Sequence, residues 1–237
     1  MAKDKLLPFR FKHFEIHHDR CAMKVGTDGL LLGAWVNVGN HKSIIDIGAG
    51  SGLISMMLAQ RSPNANVLGI EIDEQAHSQA QENVEKSIFN RQIQLIHNSI
   101  LNADIPKGPH LVVTNPPFFI GGVKSDDVKR KTARHEDLLP LNSLLFKATS
   151  LIDYEGVFAL IWPFDRRDEL LKEAERVGLF LKRETVVFTA QHKHPSRVLA
   201  EFSLAAQTPD VDQIVIQENG KYTEMYRQLL KDFYLDF

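Results

Sequence analysis

Short apolar runs alternate along the chain with longer segments in which apolar residues recur every three or four positions. The short runs indicate buried strands, and the longer segments indicate amphipathic helices. Strands are predicted at 43–47, 66–71, 93–97, 110–114, 156–162, 181–190 and 197–206, with a further short strand at 213–217. Helices are predicted at 28–36, 52–60, 74–86, 140–150, 166–177 and 222–232. This alternation is typical of the α/β class, in which helices cover both faces of a mostly parallel sheet.

Turn and capping residues support these assignments at two places. Asp73 directly precedes the helix predicted at 74–86 and is a suitable N-cap. His194-Pro195-Ser196 separates the last two long strands and predicts a hairpin, which places one antiparallel strand in the sheet.

The composition is that of an ordinary soluble globular protein, with 43% hydrophobic and 24% charged residues. The length fits one domain over residues 1–237, with an arm and first helix at 1–42 and an α/β core at 43–237. A single cysteine, Cys21, excludes an internal disulfide framework and suits a reducing cytoplasm. No apolar run is long enough to span a membrane, and the ten histidines lack metal-ligand spacing. We expect a cytoplasmic monomer without a metal.

Two prolines end the strand predicted at 110–114, and an aromatic ring follows them. The sequence there is Asn115-Pro116-Pro117-Phe118. Proline cannot continue a strand ladder, so the backbone turns out at the carboxyl end of the strand, where open α/β sheets bind ligands. The Asn115 amide oxygen and a backbone carbonyl can both accept protons from one amino group, and a ring can stack on the attached heterocycle. The tetrapeptide therefore indicates a clamp for an exocyclic amine; the alternative is a proline-terminated strand with a packed phenylalanine.

A glycine-rich turn follows the first strand of the core. Asp46 stands in that strand, and Gly48, Gly50 and Gly52 lie between it and the next helix. Glycines let the backbone approach a ligand closely, but this G-x-G-x-G spacing differs from the dinucleotide-binding fingerprint. Glu71 ends the following strand about twenty residues later, where a carboxylate can accept both hydroxyls of a ribose. We infer a site for a nucleoside without a pyrophosphate.

These segments resemble known motifs. Asp46 to Gly52 is similar to motif I of the class I S-adenosylmethionine-dependent methyltransferases. Asn115 to Phe118 is similar to motif IV of the members of this class that methylate amino nitrogens. Four further segments narrow the resemblance to the bacterial tRNA1(Val) (adenine-37-N6)-methyltransferase family: 11–14, 21–35, 133–136 and 233–235. The resemblance implies a Rossmann-like fold with a seven-stranded, mostly parallel sheet, S-adenosylmethionine as the methyl donor and tRNA as the substrate. We expect Asp46 to organise the glycine loop or to contact the amino-acid end of the cofactor, and not to take part in the chemistry.

The resemblance also implies roles for residues outside the two motifs. Lys24, Thr27 and Asp28 belong to the segment that lies over the cofactor in this family; the alternative is a structural helix that Thr27 or Asp28 caps. Ser99 stands where many relatives have an aspartate that contacts the adenine amine of the cofactor. Ser99 or the adjacent Asn98 can still form a hydrogen bond there.

A net charge of −2 means that any RNA-binding surface must come from a local cluster of cations. The main cluster directly follows the amine clamp and consists of Lys124, Lys129, Arg130, Lys131 and Arg134. Cations beside a base pocket can bind the phosphates of RNA. The alternative is a solvent-exposed loop whose positive charge is reduced by two aspartates. Lys193 and Arg197 at the hairpin form a second candidate, and the cations of the N-terminal arm form a third.

Three other functions stay open. A guanine-N2 methyltransferase of ribosomal RNA and a glutamine methyltransferase acting on a release factor use the same tetrapeptide. The second normally carries a helical domain before motif I, whereas residues 1–42 here indicate an arm and one helix. The third alternative is a non-catalytic cofactor-binding module, and the intact clamp argues against it because a mere binder does not need to hold an amine.

Overall fold

A computed structural model describes residues 7–117 and 139–237. The strands in these ranges are β1 Phe9–Arg10, β2 Glu15–Ile16, β3 Ser43–Ile47, β4 Asn66–Glu71, β5 Ile93–His97, β6 Leu111–Thr114, β7 Val157–Pro163, β8 Phe180–Ala190, β9 Arg197–Ser203, β10 Asp210–Glu218 and β11 Lys221–Tyr222. The α-helices are α1 Thr27–Trp35, α2 Leu53–Arg61, α3 Glu74–Glu85, α4 Leu141–Leu151, α5 Arg167–Arg176 and α6 Glu224–Leu230. No helix in the described ranges has the length and apolarity needed to cross a membrane.

Nine of these strands form one sheet in the order β11-β10-β8-β9-β7-β6-β3-β4-β5. The strands from β7 through β6, β3 and β4 to β5 are parallel, while β9 runs antiparallel to both β7 and β8. The seven predicted strands with one antiparallel member are therefore confirmed.

Two further strands make the sheet wider than seven. β10, which contains the short strand predicted at 213–217, adds in parallel to β8, and β11 folds back on β10. Asn219 and Gly220 connect these two strands, and both have positive φ, at 50° and 76°. An Asn-Gly turn of this kind matches the twist of a tight hairpin.

Helices cover both faces of the sheet because successive strand residues point in opposite directions. Ile44 packs into the core that contains the apolar residues of α1 and α2, whereas Ile45 packs into the core that contains those of α4 and α5. The N-terminal arm also belongs to the first core, since Phe11, Phe14 and Ile16 are buried within it.

The helix starts show one correct and one wrong capping prediction. Asp73 is the N-cap of α3, and its carboxylate accepts a hydrogen bond from the Ala76 amide at 2.8 Å. In α1, by contrast, the N-cap is Gly26, and no side chain caps the helix. The predicted capping role of Thr27 or Asp28 is therefore wrong. The Asp28 carboxylate instead pairs with the guanidinium of Arg197 at 3.0 Å.

The strand order reverses at β3. The chain continues from β3 to β4 on one side and later returns to β6 on the other side. Such a reversal opens a crevice at the carboxyl ends of the parallel strands, and this is where open α/β sheets bind ligands.

Candidate active site

A cavity opens at this crevice, and the segments that follow four neighbouring strands line it. β3 leads into Gly48 and Gly50, β4 ends in Glu71, and β5 leads into Asn98 and Ser99. β6 leads into Asn115, Pro116 and Pro117, which line the same cavity. The segments predicted to hold a nucleoside and an amine, which are far apart in sequence, therefore meet in one place.

The glycine loop has a backbone that only glycine adopts readily. Gly48, Gly50 and Gly52 have φ values of 74°, 57° and 83°. The amides of Gly48 and Ala49 both donate to the Ile70 carbonyl, at 2.8 and 3.0 Å, which holds the loop against β4. Gly48 and Gly50 line the cavity, whereas Gly52 lies at the N-cap of α2.

Glu71 connects the glycine loop to the start of α3. Its side chain is buried, and its two carboxylate oxygens accept hydrogen bonds from the Gly50 and Asp73 amides, each at 2.8 Å. A carboxylate oxygen can accept more than one hydrogen bond, so each oxygen still has capacity for a ribose hydroxyl. Glu71 therefore links the glycine loop to the start of α3, and its carboxylate can also accept hydrogen bonds from a molecule in the cavity.

Asp46 lies in the interior beneath the loop and does not line the cavity. The Ser55 hydroxyl of α2 donates to its Oδ2 atom at 2.6 Å. Its Oδ1 atom is buried without a hydrogen-bond partner among the described residues. Burial raises the pKa of this carboxyl to about 6. These contacts support the interpretation that Asp46 organises the turn between β3 and α2.

Asn98 and Ser99 form a turn at the end of β5 beside Glu71. The Asn98 amide donates to the Glu71 carbonyl at 3.0 Å, and the Asn98 side-chain oxygen accepts from the Ser99 amide at 2.8 Å. The Ser99 hydroxyl accepts from the Leu101 amide at 3.3 Å. Both side chains line the cavity, so either can present a polar atom to a ligand there.

Asn115 has an unsatisfied acceptor at the other side of the cavity. Its Oδ1 atom is buried and has no hydrogen-bond donor among the described residues. The Thr114 hydroxyl donates to the Ile47 carbonyl at 2.8 Å and so fixes the strand end from which Asn115 projects. A Cβ atom added at Gly29 of α1 would lie 4.0 Å from the side-chain Nδ2 atom of Asn115, so the start of α1 borders this side chain. Phe118, the fourth residue of the motif, lies outside the described residues.

Comparisons with known proteins agree with this arrangement. A sequence profile of the methyltransferase small domain matches residues 22–139. The chain is 40% identical over 229 residues to the tRNA1(Val) (adenine(37)-N6)-methyltransferase of Phocaeicola vulgatus, covering 96% of this chain and 97% of that protein. This chain belongs to the tRNA1(Val) (adenine(37)-N6)-methyltransferase family. The member from Parabacteroides distasonis is 42% identical over 231 residues, covering 96% of this chain and 97% of that protein. The member from Haemophilus influenzae is 40% identical over 233 residues, covering 97% of this chain and 99% of that protein.

Solved structures show the same fold at lower identity. A predicted O-methyltransferase from Agrobacterium tumefaciens superposes with a TM-score of 0.67 at 16% identity, covering 87% of this chain and 96% of that chain. Geranyl diphosphate methyltransferase, solved with sinefungin, gives a TM-score of 0.53 at 12% identity, covering 74% and 76% of the two chains. The class I methyltransferase fold is thus confirmed.

The three residues expected over the cofactor in this family are not among the described residues that line the cavity. The Lys24 ammonium group donates to the His18 and Asp19 carbonyls, at 2.7 and 3.3 Å. Thr27 is exposed at the first position of α1, and Asp28 is held by its ion pair. Their contact with the cofactor stays a prediction.

The candidate RNA ligands fall into two groups. Five cations lie outside the described residues: Lys124, Lys129, Arg130, Lys131 and Arg134. Lys193 is exposed in the turn between β8 and β9. The Arg197 side chain is only 17% exposed and donates to Asp28 and to the Ser196 carbonyl, so protein contacts already occupy much of its guanidinium group.

One wall of the cavity was not predicted from the sequence. Cys21, Ala22 and Met23 of the N-terminal arm line it. Burial raises the pKa of the Cys21 thiol to about 12, which keeps it protonated and unreactive. Gln79 and Asn83 could have indicated that a segment packs here, because they are polar residues on the buried face of α3 and require hydrogen-bond partners.

Proposed function

We propose that this family member transfers a methyl group from S-adenosylmethionine to the N6 amine of an adenine in tRNA, in the cytoplasm. Its relatives' names specify adenine 37 of tRNA1(Val), and we propose the same target here. One structural observation carries the proposal. The Asn115 Oδ1 atom is a buried acceptor that no described residue satisfies, and it borders the cavity lined by the glycine loop and Glu71.

The residues of the cavity fit the methyl donor. Glu71 would accept its ribose hydroxyls, Asn98 or Ser99 would bind its adenine amine, and Gly48 and Gly50 would allow close backbone approach. When bound, S-adenosylmethionine supplies an electrophilic methyl group on a sulfonium centre.

The chain's own contribution to the reaction is to hold the acceptor amine. The lone pair of an adenine amine is delocalised into the ring, which makes the nitrogen a poor nucleophile. Asn115 Oδ1 and the Pro116 carbonyl would accept both amino protons and thereby favour a pyramidal nitrogen with a localised lone pair. No strong base is required, because the nitrogen becomes acidic as it gains the methyl group.

The energetics favour an acceptor that is already in place. A buried polar group without a partner is destabilising by about 1–3 kcal/mol, and an incoming amine would remove this penalty. Phe118 would hold the base by stacking, which contributes about 1–3 kcal/mol per base. The target base must first leave its stack, because chemistry on an exocyclic amine requires access to it.

The first experiment identifies the product. The protein is incubated with labelled methyl donor and total tRNA, the RNA is digested to nucleosides, and the labelled nucleoside is identified. We expect N6-methyladenosine, and the label should disappear when a tRNA1(Val) transcript carries guanosine at position 37. N2-methylguanosine would instead favour the guanine-specific alternative, and labelling of a protein glutamine would favour the glutamine methyltransferase.

The second experiment tests the clamp. Asn115→Ala should lower turnover by at least about 100-fold, since the lost contact stabilises the transition state. Its affinity for the donor product S-adenosylhomocysteine should stay near that of the wild type, because the clamp contacts only the acceptor. Asn90→Ala, which truncates an exposed amide far from the cavity, is the matched control. Retention of more than a few per cent of wild-type turnover by Asn115→Ala would refute the clamp.

A further inference from the structure

The arm segment that lines the cavity has little secondary structure of its own. Cys21, Ala22 and Met23 form the wall, yet they lie between the two-residue strand β2 and the start of α1. Their position must therefore come from tertiary contacts.

Two buried amides on α3 provide those contacts. Gln79 and Asn83 are 1% and 2% exposed and stand four residues apart, on one face of the helix. The Gln79 carbonyl oxygen accepts from the Arg20 amide at 2.9 Å and from the Cys21 thiol at 3.4 Å. Its amide nitrogen donates to Asp19 Oδ1 at 2.6 Å. Within residues 7–117 and 139–237, the Gln79 side chain therefore forms hydrogen bonds with the arm alone.

Asn83 fastens the arm and the glycine loop together. Its Oδ1 atom accepts from the His17 amide at 3.0 Å, and its Nδ2 atom donates to the His17 carbonyl at 2.8 Å. The same Nδ2 atom donates to the Ser51 carbonyl at 2.9 Å. Ser51 directly follows Gly50, which also lines the cavity. One buried side chain therefore joins two walls of the donor site.

We propose that Asn83 is a positioning residue for the methyl donor, which couples the docking of residues 17–23 to the geometry of the glycine loop. The identity of the donor rests on the proposed function, but the coupling itself does not. Because coupling between two equilibria is reciprocal, donor binding must stabilise the docked arm as much as the docked arm strengthens donor binding.

Binding measurements on two variants test the coupling. Asn83→Ala should weaken binding of S-adenosylhomocysteine, measured by calorimetry, by about tenfold, the factor that corresponds to one lost hydrogen bond of ordinary strength. Gln79→Ala removes contacts to the arm but leaves Ser51 held, so its effect should be smaller. Asn83→Asp keeps the acceptor for the His17 amide but loses the donor to Ser51, and it should bind as weakly as Asn83→Ala. In turnover assays, Asn83→Ala should raise KM for the donor and leave kcat at saturating donor nearly unchanged.

Hydrogen exchange in the wild-type protein tests the reciprocal effect without any variant. The His17 and Arg20 amides are held by Asn83 and Gln79, so their exchange should slow when S-adenosylhomocysteine is added. Asn83→Ala should lose this ligand-dependent protection at a temperature where circular dichroism shows it folded. Equal exchange in the wild type with and without the ligand would overturn the proposal, as would unchanged ligand affinity in Asn83→Ala. Normal ligand binding without tRNA methylation would instead overturn the proposed function and leave this inference intact.

Discussion

Replacing Glu71 with alanine should weaken binding of the methyl donor and also lower stability. In the proposed ribose role, the variant would lose both hydrogen bonds to the ribose, and bonds to a charged group contribute about 1.5–3 kcal/mol. That loss corresponds to an affinity lower by roughly 10–150-fold. The structure adds a second effect, because the Gly50 and Asp73 amides lose the acceptors that they now hold at 2.8 Å. Water entering from the cavity can replace those acceptors, so we expect the free energy of unfolding to fall by only about 1.5–3 kcal/mol.

Calorimetric titration with S-adenosylhomocysteine measures the affinity, and urea unfolding measures the stability. Glu85→Ala is a suitable control, because it removes the same charge from the exposed end of α3 without touching the cavity. The control should leave the affinity unchanged. Unchanged affinity in Glu71→Ala would refute the ribose role, and a loss of stability alone would reduce Glu71 to a link between the glycine loop and α3.

Three further predictions concern other parts of the chain. Burial raises the pKa of Asp46 from 3.8 to about 6, so the folded state binds this proton more tightly. The free energy of unfolding of the wild type should therefore fall by about 2 kcal/mol relative to Asp46→Asn as the pH rises from 4 to 6, and a constant difference in urea titrations would contradict this. The Cys21 thiol should react with iodoacetamide at pH 8 only when denaturant unfolds the protein, as mass spectrometry can show; fast labelling of the native protein would contradict its placement. The last prediction concerns the quadruple alanine variant of Lys129, Arg130, Lys131 and Arg134. Its tRNA affinity should fall, and the slope of log affinity against log salt should flatten by about 0.7–0.9 per lost contact, whereas an unchanged slope would place the RNA surface elsewhere.

The order of the main elements could be predicted from the sequence because each strand of the centre is a short, mostly apolar run. β3 and β4 have the predicted bounds, since a glycine turn or a carboxylate ends each of them. The Asn219-Gly220 dipeptide at the sheet edge is a hairpin signal from which β11 could have been predicted. The start of α1 was harder to predict, because the carboxylate of Asp28 has a partner, Arg197, that is far away in sequence.

The candidate site could be predicted only where its residues follow strand ends. Glu71 and Asn115 could be found because their strands are obvious and the fold places those ends together. The arm wall could not be found in this way, because Cys21 to Met23 carry no periodicity and owe their position to side chains on α3. The pairing of a side-chain amide on a helix with a distant backbone carbonyl depends on the tertiary fold, so the local sequence pattern does not predict it.

In the proposed reaction, the register of two neighbouring strands would bring donor and acceptor together. β3 and β6 pair in parallel with Ile47 opposite Thr114, so the next residues are Gly48 of the glycine loop and Asn115 of the clamp. Adjacent strands lie about 4.8 Å apart, and the hydrogen bond from the Thr114 hydroxyl to the Ile47 carbonyl secures this register at the strand ends. A slip of one residue would turn Thr114 and its neighbours to the opposite faces of the sheet. Holding two reactants in a fixed geometry can by itself supply much of a rate enhancement. A reaction that needs proximity and an amine clamp, but no strong base, is therefore well served by two adjacent strand ends.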